Sequence, residues 1–274
     1  MLDLFERNRW AFGLLELCVV LIVIAVLAAL LLPTLGRSRT SGRQLPNNTQ
    51  VRGIHQSMVI FAQGNNGYFP GLSADGELLE AGAIFGTTED GAFPGARYVI
   101  LMDANYFPGE YAISPLERSK TEWTTAGTPI TTDQFSFGML ALDLDADGRL
   151  DRPDAIVGSD GRTTRPGGRT AEWSETLNTE APVMADRNTG ADAAGRVSSI
   201  HTQQDSGDWR GSVAWNDNHV VFETTPSLST KFGDGPFRDE ALGQGDHLFV
   251  ADSPNAIDDA AIVFQDGQTL DGQR

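Results

Sequence analysis

The stretch Ala11-Phe12-Gly13-Leu14-Leu15-Glu16-Leu17, which opens an apolar run ending at Pro33, decides how the rest of the chain is read. From Phe12 to Leu32 its one acidic side chain is Glu16. A helix that crosses a bilayer needs about 20 predominantly apolar residues at a rise of ~1.5 Å each, so the run predicts a membrane-spanning helix. An ionised carboxylate in hydrocarbon costs roughly 2.5 to 3.5 kcal/mol on the insertion scale, and Glu16 therefore calls for a partner. Cleavage between Ala11 and Phe12 would create one, an α-amino group lying one helical turn away.

These residues resemble the class III signal peptide of type IV pilins and type II secretion pseudopilins. The resemblance covers a short polar leader, a cleavage point before Phe12, Glu16 as fifth residue of the mature chain, and Pro33 at the end of the apolar run. It implies trimming and N-methylation at Phe12 by a prepilin peptidase. It further implies stacking of subunits in which Glu16 neutralises a neighbouring amine. The expected partners are like or related pilin subunits and an inner-membrane assembly platform. The expected location is a single pass of the bacterial inner membrane, with the remaining domain periplasmic or extracellular. Two positions depart from the family pattern: Ala11 stands where Gly is usual, and Gly13 where Thr or Ser is usual. Arg37, Arg39 and Arg43 follow the span and run against the positive-inside rule. A secretory signal or signal anchor is the plainer reading of the same segment, although a secretory signal has a shorter apolar core.

The chain carries a formal charge of -17 over 274 residues, divided unevenly. Residues 1–62 hold six Arg against three acids, whereas residues 63–274 hold fourteen Lys and Arg against thirty-four acids. Such a surface repels nucleic acid and suits divalent cations or basic partners. The single cysteine, Cys18, falls in the apolar run, so disulfides and thiolate zinc sites are excluded from the remainder.

Residues 34–63 are expected to form a kinked amphipathic helix. Pro46 is expected to break it, with Asn47, Asn48 and Thr49 capping a restart. Val51, Ile54, Met58 and Phe61 recur at helical spacing. Gly64-Asn65-Asn66-Gly67 ends the helix and Tyr68-Phe69-Pro70 leaves it extended. This segment too resembles pseudopilins of the G or H kind, in which such a helix packs on a sheet. Beyond it, strands are expected at Tyr98 to Met102, Phe135 to Leu142, Val213 to Trp215, Val220 to Thr224 and His247 to Val250. Asp217-Asn218 suits the positive-φ positions of a tight hairpin turn. The resulting expectation is an α+β, pilin-like fold: leader 1–11, membrane-spanning and assembly helix 12–33, amphipathic helix 34–63 on an antiparallel sheet, and a β-rich domain 64–274 with a loop-rich C-terminal region.

Asp143-Leu144-Asp145-Ala146-Asp147-Gly148-Arg149-Leu150-Asp151-Arg152-Pro153-Asp154 carries the sharpest chemical pattern. Side-chain oxygens fall at loop positions one, three, five, nine and twelve, Gly148 permits the bend, and the Arg149 carbonyl supplies a further ligand. A structural Ca2+ held by Asp143, Asp145, Asp147, Arg149, Asp151 and Asp154 is expected, against the alternative of a solvated acidic turn. Asp154 is shorter than the bidentate Glu usual at the last position, which lowers affinity. His55, His201, His219 and His247 show no metal-binding spacing; His219 reads first as a hairpin-turn histidine hydrogen-bonded to backbone, with a polar cluster of His201, Asp217 and His219 as the lesser alternative. No Gly-x-Ser-x-Gly elbow or Gly-Lys-Ser phosphate loop occurs, and no enzyme is expected. The chain reads as a structural subunit of a pseudopilus or type IV pilus-like filament. A minor pilin or adhesin, or a singly anchored calcium-binding protein, is the alternative.

Overall fold

A computed structural model describes residues 13–84, 87, 89–124, 129–142, 156–157, 163–164, 168–192, 194–202, 206–233, 235, 237–243, 245–249 and 262–264, with the side chains of 28–43, 156–157, 163–164 and 240 left aside. The chain divides into two compact units, Met1–Arg43 and Gln44–Arg274.

The first helix, α1, runs from Leu14–Gly64 and so contributes to both units. Pro33 and Pro46 lie inside it, which corrects the expected break at Pro46. A proline within a helix costs ~3 kcal/mol through one lost amide donor and a ring clash. Burial of the following turns outweighs that cost: Asn47, Val51, Ile54, Met58 and Ala62 are all fully buried along one stripe. Asn66, at φ 53, reverses the chain, and the Gly67 amide donates to the Ala62 carbonyl at 2.8 Å, closing the helix as the Gly-Asn-Asn-Gly run predicts.

No helix among the described residues is long and apolar enough to cross a membrane. This overturns the membrane-spanning helix expected from Phe12 to Pro33. The pilin-like fold built on that helix and the single-pass inner-membrane location fall with it.

The second helix, α2, is Pro94–Asp103, at a place where a strand was expected over Tyr98 to Met102. A short apolar run suits a buried helix as well as a strand, and here Pro94 supplies the preset first turn. Around it all residues but Ile100 and Asp103 are buried.

The strands are β1 (Phe137–Leu140), β2 (Ile156–Val157), β3 (Thr163–Thr164), β4 (Pro182–Asp186), β5 (Asn188–Ala191), β6 (Val197–Ser199), β7 (Gly211–Trp215), β8 (Val220–Glu223), β9 (Ser227–Leu228), β10 (Asp246–His247) and β11 (Ile262–Val263). Five of them make one antiparallel sheet in the order β11-β1-β4-β7-β8. Every residue of β4 and β7 is buried, so the central strands are covered on both faces, while β8 at the edge is partly exposed. The β7–β8 hairpin pairs Ala214 with Val220. In its turn only Asn218 takes positive φ, at 69°, where the sequence suggested both Asp217 and Asn218.

The core of the second unit joins α1 (Val51, Ile54, Met58), α2 (Tyr98, Leu101) and the sheet (Phe137, Met139, Val183, Val213). Two glycines in this unit permit a close backbone approach. A Cβ on Gly91 would stand 1.9 Å from the Gly71 carbonyl oxygen, so no side chain fits there. That approach orients the Gly91 carbonyl to accept from Arg97 Nε at 2.8 Å. Arg97 is fully buried, donates also to the carbonyls of Leu140 and Ala92, and lies 4.4 Å over the Trp173 ring. Burial lowers its pKa from 12.5 to about 9 against the opposing pull of Asp90.

Candidate functional site

The N-terminal turns of α1 are apolar on every side. Leu14, Leu15, Leu17, Val19, Val20, Leu21, Ile22, Val23, Ile24, Val26 and Leu27 are each between 42 and 82% exposed. Glu16 sits in the first turn and is exposed, as is the free thiol of Cys18. A helix that is apolar all round has no face suited to water. Each Leu, Ile or Val that becomes fully buried stabilises the contact by roughly 1.5 to 3 kcal/mol, so this surface is built to be covered.

Farther along α1, a buried polar network fixes the helix to the sheet. The Asn47 amide donates to both carboxylate oxygens of Asp186 on β4, at 3.0 and 2.9 Å, and to Ser212 Oγ on β7 at 2.7 Å. Ser114 Oγ donates to Asn47 Oδ1 at 2.6 Å, and Ser212 Oγ donates to Asn48 Oδ1 at 2.6 Å. Asp186 also accepts from the Ser212 amide at 2.6 Å and meets His201 Nε2 at 2.9 Å. Although Ser, His and Asp meet here, the Ser212 hydroxyl is committed to Asn48 and is fully buried. The arrangement therefore holds a helix in place and does not present a nucleophile to a base.

Two turns on, His55 Nδ1 and Asn218 Oδ1 are 3.1 Å apart, so the helix also grips the β7–β8 turn. The His55 ring lies edge-on to Phe69. Burial lowers its pKa from 6.5 to about 4, outweighing the Asn218 hydrogen bond and the field of Asp217. His219 pairs with Asp217 and stacks on Trp215. His201 pairs instead with Asp186, so the alternative of a His201, Asp217 and His219 cluster is not what these side chains make.

Of the residues singled out from the sequence, Ala11 and Phe12 lie outside the described residues, as do Asp143, Asp145, Asp147, Arg149, Asp151 and Asp154. Glu16 is at the start of α1 and Pro33 is within it. Among the described residues, no group of three or more His, Cys, Asp or Glu side chains could hold a metal ion. Sequence reasoning took Asn47 for a helix cap and did not find Asp186 or Ser212. Their only signal was polarity within otherwise apolar segments. No protein-family model matches the chain, and neither the curated proteins nor the solved structures offer a match.

Proposed function

We propose that the chain is a structural subunit of a pseudopilus-like filament of the kind that serves type II protein secretion, and that copies join through the N-terminal turns of α1. The observation that carries this reading is the all-round apolar surface from Leu14 to Leu27, with one acid in its first turn. Packing equivalent helices together would remove that surface from water. Prepilin peptidase would cut after Ala11, and the new Phe12 amine would pair with Glu16 of its own or a neighbouring copy. In an apolar bundle such a charge pair fixes register, because a displaced copy would leave a buried charge unpaired. The acidic unit from Gln44 onward would then meet partners or calcium, with the Asp143 to Asp154 segment as the ion's site.

Cys18 supplies the test, since it is the chain's single cysteine and is exposed on the helix concerned. Oxidative cross-linking of assembled material should yield covalent dimers through Cys18. Glu16→Ala should leave the melting temperature of the Gln44–Arg274 unit unchanged and lower filament yield. Absence of Cys18 dimers together with normal yield from the Glu16 variant would refute helix-mediated assembly. Mass and N-terminal sequence of the native protein test processing separately, an intact leader being the adverse result.

A further inference from the structure

We draw no further inference here: the strongest candidate, the apolar surface patch at Leu177, an exposed side chain on a turn at φ 59 that the buried Glu172 carboxylate holds through Thr176 and Asn178, carries nothing because nothing in the structure shows what covers it.

Discussion

Asn47 and Asp186, 139 residues apart in the chain, are joined by two hydrogen bonds of 3.0 and 2.9 Å, and neither residue is exposed. The pair fastens α1 to the middle of the sheet. A buried carboxylate needs hydrogen-bond partners in place of its lost water, and here Asn47, the Ser212 amide and His201 supply them. Asp186→Ala would leave Asn47, the Ser212 amide and His201 without that acceptor and should destabilise the folded unit by about 1–3 kcal/mol in denaturant melts. The double variant with Asn47→Ala should cost clearly less than the two single costs together. Strict additivity would show that the two side chains are not coupled.

His55 makes stability depend on pH in a definite window. Its folded pKa, about 4, lies below the ordinary 6.5, so between those values the unfolded chain binds a proton that the folded chain refuses. The contribution is fully present above about pH 6.5 and is lost as pH falls toward 4. For a depression of this size the loss amounts to about 3 kcal/mol. His55→Gln should flatten the decline over that window in a series of urea melts. Curves of parent and variant that stay parallel from pH 7 to pH 4 would contradict burial of the neutral ring.

The approach of Gly91 to the Gly71 carbonyl leaves no room for a methyl group, because backbone atoms cannot move aside as a side-chain tip can. Gly91→Ala should therefore cost at least ~2 kcal/mol, in the manner of an overpacked core. The same shift would misplace the carbonyl that receives Arg97. Arg97→Lys should cost a similar amount through loss of its fork of donors to three carbonyls. Thermal melts that match the parent for both variants would show that the loop adjusts freely.

Calcium is expected to raise the melting temperature of the full chain, and chelator to lower it, through the acidic segment Asp143 to Asp154. Asp143→Asn combined with Asp145→Asn should abolish that difference, since each removes a charged oxygen from the ion. Equal melting of the parent in calcium and in chelator would dispose of the site.

Local features of this fold were legible because they depend on neighbours in sequence. The stripe Val51, Ile54 and Met58 recurs with the helical period and is buried as the period requires. The Asn-rich stop of α1 and the hairpin turn at Asn218 follow from residues that tolerate positive φ. The run at Tyr98 to Met102 was expected as a strand and is helix, because five apolar residues satisfy either period and burial around the whole element removes the distinction. Pro46 misled because a local penalty of ~3 kcal/mol was set against packing that had not yet been counted.

The sequence by itself determined the charge imbalance, the apolar opening of α1 with its single acid, the absence of thiols beyond Cys18, the end of α1 and the turn of the β7–β8 hairpin. These are properties of composition and of short-range periodicity. Only the tertiary structure decided that α1 continues through both prolines and that Asn47 meets Asp186 and Ser212. The same holds for the separation of His201 from His219. Contacts between residues far apart in sequence leave no periodic trace, since any polar residue in an apolar segment predicts that a partner exists without saying which one.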